Sequence, residues 1–206
     1  VTYRAPGDTA DRLWPLSHLP LIIDEADWAQ LAAGIAQRAQ LLEMVLRDIY
    51  GEGKLVTQGA IPAAAIAGSS EYLRAVSGIK PPGGRYLHLY AADVGRGPDG
   101  RWWILGDRTQ APSGAGYALE NRLVISRVFP QLFRELRVQH LAAFFAALKD
   151  SLLRWAPRGG PGSPADGVPL IALLTPGPFN ETYFEHVYLA RYLGFPLEIG
   201  RASCRE

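Results

Sequence analysis

Cysteine is nearly missing from this sequence. One residue in 206 cannot close an internal disulfide, so a reducing, cytoplasmic setting is expected. Charge of one sign is lacking too: the formal net charge is +1, which builds no strongly basic face and argues against a nucleic-acid partner. Apolar runs such as 168–174 fall far short of the roughly 20 residues that span a bilayer, so no membrane partner is expected. No signal-peptide pattern precedes the globular part. No serine stands in a Gly-x-Ser-x-Gly elbow. Gly114-Ala-Gly116 lacks the third glycine of a dinucleotide fingerprint, which argues against a Rossmann cofactor. Glu185-His186 has no partner histidine at helical spacing, so no zinc motif forms and His186 reads as a satisfied packing residue. His18, His88 and His140 stand alone and carry no assignment.

What is present is an ordinary globular composition, 48% hydrophobic and 20% charged, with room for one sizeable domain or parts of two. Residues 1–20, with Pro6, Gly7, Pro15 and Pro20, read as an extended arm pinned by Trp14 and Leu16. Asp24 offers an N-cap to a long helix whose Trp28, Leu31, Ile35, Leu42, Val45 and Ile49 form one apolar stripe, ended by Gly51 and Gly53. Small helices are expected at 61–67 and 71–76. Two strand-like runs, 86–93 and 101–109, flank Gly97-Pro-Asp-Gly100 and predict a β-hairpin. Residues 123–128 suit a short strand or the start of a helix. Pro130 opens a helix expected over 131–147 and prolonged by 151–155. A linker-like insert at 158–167 is the best boundary within the chain. Residues 168–175 then read as a strand buried on both faces, followed by a loop at 176–180 and a helix at 181–193 ended by Gly194. That order suits a parallel α/β sheet.

Both ends look cut. The chain starts at Val1 without a methionine, and residues 199–206 break the preceding pattern. Those residues also resemble a translated sequencing adapter, so a non-native tail that includes Cys204 is expected.

Residues 106–122 concentrate chemistry. Behind the apolar run 102–105, a carboxylate, a guanidinium, a hydroxyl and an amide follow within four residues, and glycines follow them. A strand alternates its faces, so Asp107 and Thr109 point the same way. A three-residue hairpin loop of Pro98, Asp99 and Gly100 would pair Asp93 with Leu105 and add Asp93 to that face. An even-length loop would turn Asp93 away. Oxygen ligands of this kind suit Mg²⁺, which takes its remaining ligands from water and substrate phosphates. The plainer alternative has Asp93 capping a turn and Asp107 paired with Arg108 or Arg122. Both arginines also match phosphate oxygens bidentately and are assigned to catalysis. Ser113, Gly114 and Gly116 offer backbone N–H groups to phosphate, and Asn121 joins them as a nucleotide-binding residue. In 175–181 a strand gives way to a helix, where Thr175, Gly177 and Asn180 can meet a substrate carboxylate or phosphate. Ordinary capping by Asn180 is compatible with that role.

The spacing Asp107-x-Thr109-x-x-Pro112, preceded by Asp93, resembles the metal-binding hairpin of ATP-grasp ligases. Asp107-Arg-Thr-Gln-Ala-Pro-Ser-Gly-Ala-Gly-Tyr-Ala-Leu-Glu-Asn-Arg122 and Leu174-Thr-Pro-Gly-Pro-Phe-Asn-Glu-Thr-Tyr-Phe-Glu-His186 together resemble the circularly permuted ATP-grasp family (type 2), related to glutathionylspermidine synthetase-like ligases. Gln37-Arg-Ala-Gln-Leu-Leu42 and Asp48-Ile-Tyr-Gly51 match its early region. The likeness covers about residues 11–198. It implies a mixed α+β and α/β fold: an ATP-grasp-like hairpin sheet with helices over 1–157, the start of a parallel α/β subdomain over 168–198, and the tail 199–206. It also implies ATP with Mg²⁺ held by Asp93, Asp107 and Thr109, although Asp and Thr replace the usual Glu and Asn. Its implied substrates are a small-molecule or peptide carboxylate and an amine, joined through an acylphosphate. A non-catalytic ATP-grasp-shaped scaffold is the rival reading, and the piece itself is expected to be inactive.

Overall fold

The computed structural model describes residues 19–156 and 167–200, together with 2, 3, 10, 12, 13 and 15–17. Trp14, Cys204 and nearly all of the 158–167 insert lie outside the described residues. The chain gathers into two compact units, one of residues 22–112 and one of residues 1–21 with 113–206.

In the first unit the Asp24 carboxylate accepts the Asp27 N–H at 2.8 Å and caps helix α1, Glu25–Ile49. Leu31 is buried, and Ile35, Leu42, Val45 and Ile49 are half-buried, as the stripe requires, whereas Trp28 is exposed. Carboxylates on the same helix then pin the chain that follows. Asp48 accepts the N–H groups of Lys54 and Leu55, both at 2.9 Å, at the start of α2, Lys54–Thr57. Glu43 accepts the N–H of Leu87 at 2.7 Å and of Tyr86 at 3.1 Å. Because those amides go to a side chain, the expected strand at 86–93 begins late. β3 is Ala91–Arg96, paired antiparallel with β4, Trp102–Arg108. Between α2 and the hairpin lie α3, Ala63–Ala67, and a 3₁₀ turn, Arg74–Val76, both shorter than the helices expected there.

The second unit carries β1, Thr2–Tyr3, antiparallel to β2, Arg12–Leu13. It also holds a helix that the glycines at 114 and 116 had hidden: α4 runs Ala115–Val128 and absorbs the ambiguous 123–128 segment. Pro130 does open a helix, α5, Pro130–Glu135, but the expected single helix over 131–147 is broken by Arg137 at φ 49° and resumes as α6, Ala142–Trp155. β5, Leu173–Thr175, pairs parallel with β6, Leu197–Ile199, and α7, Tyr183–Leu193, crosses between them. The parallel pairing agrees with the α/β expectation. Burial on both faces does not, since Leu174 is exposed. Ile199 belongs to β6, so ordered pairing continues past Glu198, where a tail was expected to begin.

Leu119 of α4, Phe145 of α6 and Leu193 of α7 form the core of this unit, with Leu123, Leu148 and Leu189 packed around it. Among the described residues Phe145 is the largest fully buried side chain, and it meets Tyr192 edge-on at 5.0 Å. Truncating it to alanine is expected to lower unfolding free energy by about 3–5 kcal/mol. Urea denaturation of Phe145→Ala against wild type measures this, and a loss below ~1 kcal/mol would show that the three helices do not share one core.

Candidate functional site

The hairpin tip is built as its sequence suggests. The Gly97 N–H bonds Arg101 O at 2.8 Å, the Gly100 N–H bonds Gly97 O at 2.9 Å, and Gly100 takes φ 79°. From there Arg96 faces Trp102, Gly95 faces Trp103 and Val94 faces Ile104. The register then shifts between Asp93 and Val94, so that Asp93 faces Gly106 and Ala92 faces Asp107. Leu105 is the extra residue, and it is 73% exposed. A bulge of this kind re-aims every side chain beyond it. Asp93 therefore lies on the face opposite Asp107, and the expected common face is corrected.

Each carboxylate has its own arginine. Arg108 Nε and Nη2 reach Asp93 Oδ2 at 3.0 Å across one face. On the other face Asp107 takes an edge-on fork from Arg38 of α1, with Nε to Oδ1 and Nη2 to Oδ2 both at 2.6 Å. The Tyr90 hydroxyl donates to Asp107 Oδ1 at 2.5 Å. Tyr90 precedes Ala92 by two residues, which places it on the Asp107 face. The Arg38 bonds, then the Tyr90 bond, hold the Asp107 carboxyl at about 2, below its usual 3.8. Burial and the Asp107 bond push Tyr90 up to about 12. Sequence reasoning singled out neither Tyr90 nor Arg38. The signal for Arg38 was membership of the Gln37-to-Leu42 motif, but nothing local showed what it touches.

The second constellation centres on Glu185, only 1% exposed. Its Oε1 accepts the N–H of Gly114 at 2.7 Å and of Gly116 at 2.8 Å, and its Oε2 lies 2.9 Å from the Gly114 nitrogen. The carboxylate thus sits at the N-terminus of α4, where helix dipole and unpaired amides favour an anion. These are the amides expected to cradle phosphate. An internal carboxylate occupies them, so in this geometry Gly114 and Gly116 hold Glu185. Arg122 Nη1 donates to Gln139 O at 3.1 Å. Ser113 is exposed beside the turn, and Asn121 lies half-buried on α4.

At the β5 end, Thr175 is fully buried, and its hydroxyl lies 2.9 Å from His186 Nδ1 and accepts the Gly177 N–H at 3.2 Å. His186 Nε2 lies 3.2 Å from the Thr182 hydroxyl, and Asn180 Oδ1 accepts the Thr182 N–H at 2.9 Å. Asn180 is therefore a turn-former ahead of α7, and His186 is satisfied on both ring nitrogens. Burial lowers the His186 pKa, opposed by nearby Glu185.

Over residues 20–202 the sequence matches the family described as circularly permuted ATP-grasp type 2. The chain belongs to that family. An uncharacterized protein of Mycobacterium tuberculosis is 40% identical over 184 residues, 89% of this chain and 20% of its own length. An uncharacterized protein of Synechocystis is 37% identical over 203 residues, 98% of this chain and 41% of its own. An uncharacterized protein of Mycobacterium leprae is 37% identical over 207 residues, 100% of this chain and 36% of its own. The chain spans at most about two fifths of the length of these curated relatives.

Asp93 and Asp107 point to opposite faces, both Asp107 oxygens are taken by Arg38, and no group of three or more His, Cys, Asp or Glu suited to an ion occurs among the described residues. Asp93, Asp107 and Thr109 do not fit Mg²⁺ as one ligand set here. A separate cleft of about 220 Å³ lined by Tyr50, Val76, Ile79, Pro81 and Tyr86 is apolar and small for a nucleotide.

The Asp107 ion pair has a pH signature. Its folded pKa lies below the unfolded value, so its contribution is present above pH 3.8 and is lost as pH falls through about 2. Unfolding of wild type and Asp107→Asn followed across that window should show the difference between them closing. A constant difference would contradict the pairing.

Proposed function

We propose that the protein bearing this chain is an ATP-dependent carboxylate–amine ligase. The family match across residues 20–202, which contains both long motifs, supports this reading above all. A substrate carboxylate oxygen bonds to the γ-phosphorus as the bond from that phosphorus to the β–γ bridging oxygen breaks, and ADP leaves. The amine nitrogen then bonds to the acyl carbon, the acyl C–O bond breaks, phosphate departs with the electron pair, and the amine gives up a proton. Phosphoryl transfer of this kind depends on positioning and charge neutralisation.

Arg108 and Arg122 are the guanidinium groups of this reading. Each is already oriented by one partner, Asp93 or Gln139 O, and retains further N–H groups. Ser113 and Asn121 are its nucleotide-side polar groups, and the 175–180 turn its substrate-side element. Mg²⁺ accompanies the nucleotide phosphates in the family expectation, and no step here is assigned to it. The substrates are a small-molecule or peptide carboxylate and an amine.

One observation favours a second reading, a non-catalytic ATP-grasp-shaped module: Asp93 and Asp107 are each neutralised by an arginine. ADP release in the presence of a carboxylate and an amine separates the two. Turnover by wild type, reduced on the order of a hundredfold in Arg122→Ala, is expected. Undiminished turnover in that variant would remove Arg122 from the account, and ATP binding without any turnover would favour the module.

A further inference from the structure

We infer that Glu185 is a positioning residue: its buried carboxylate, seated on the N–H groups of Gly114 and Gly116, sets the turn that opens the 113–122 motif. Three features carry this. The side chain is 1% exposed, so its charge must be met by the protein, and the partners it finds are backbone amides of the motif itself. The second is the shape of the turn. Gly114 is left-handed at φ 114°, a conformation that side-chain-bearing residues rarely adopt, and it serves as the N-cap of α4 without any side-chain hydrogen bond. Glu185 supplies from α7 the acceptor that a serine or aspartate N-cap would normally supply from within the turn. The third is close packing. A Cβ at position 116 would stand 2.8 Å from Glu185 Cγ and 3.4 Å from its Cα, so glycine is needed there for the carboxylate to reach the amides.

Two distant parts of the sequence, 114–116 and 185, are thus one device. α7 carries the acceptor, α4 presents the donors, and Leu119 and Leu193 pack in the same core. Residues 117–122 follow from the turn because they lie on the helix it starts. The functional half of the inference, that this sets how the motif meets nucleotide, rests on the ligase reading above.

Two variants perturb the device from opposite sides. Glu185→Gln keeps the shape but replaces one acceptor with a donor facing the Gly114 N–H. Gly116→Ala keeps the carboxylate and wedges it away. Leu189→Ala serves as a control that loosens the same core without touching the turn. In wild type the Gly114 and Gly116 amides are expected to exchange slowly with deuterium, and both variants should speed exchange at these amides at least tenfold. The control, matched for loss of melting temperature, should leave their relative protection in place. Unprotected amides in wild type, or amides unchanged in Glu185→Gln, would overturn the inference. ATP affinity is the second readout. Both variants should weaken it about tenfold beyond the control, and affinities that merely follow melting temperature would reduce Glu185 to a stability role and overturn its positioning of the motif for nucleotide. If wild type binds no ATP at all, the ligase reading fails, while the exchange result still decides whether Glu185 sets the turn.

Discussion

A carboxylate that has left water needs partners, and at Glu185 those partners are the amides of Gly114 and Gly116. A buried charge stripped of hydrogen bonds is destabilising by about 3–5 kcal/mol, so α7 cannot keep Glu185 where it is unless the turn before α4 keeps its shape. Conversely, the turn has no capping side chain of its own. The packing of α4, α6 and α7 around Phe145 and the presentation of the 113–122 motif therefore depend on the same few hydrogen bonds. Local structure, core and motif are tied at one point.

The hairpin in the other unit uses charge differently. Arg38 and Asp107 are partly exposed, at 42% and 26%, and a pair in that setting adds little stability. What it does is fix orientation: a planar fork meets a carboxylate that Tyr90 also holds, so three side chains share one geometry. That arrangement separates the role of Asp107 from metal binding. Asp107 is bound to a guanidinium from α1, while Asp93 faces the other way.

Much of this was legible in the sequence and some was not, for physical reasons. The long helix, the hairpin with its left-handed Gly100, and the strand–loop–helix unit at β5 and α7 follow from periodicity and turn chemistry, which are local. The register was misread because a bulge at Leu105 depends on pairing along the whole strand, not on the loop that closes it. α4 was hidden because Gly114 and Gly116 read as loop, whereas Gly114 is the N-cap and Gly116 is demanded by Glu185, a residue about seventy positions away. The same long-range contact turned a presumed phosphate cradle into an internal carboxylate site. His186 was legible as a packing residue because no ligand partner stands at helical spacing.

Every step of the ligase reading depends on ATP binding. Calorimetric titration of ATP into the protein, with and without Mg²⁺, addresses it directly. Saturable binding of one nucleotide per chain, tighter with Mg²⁺, is the predicted result. Heats indistinguishable from dilution under both conditions would contradict it.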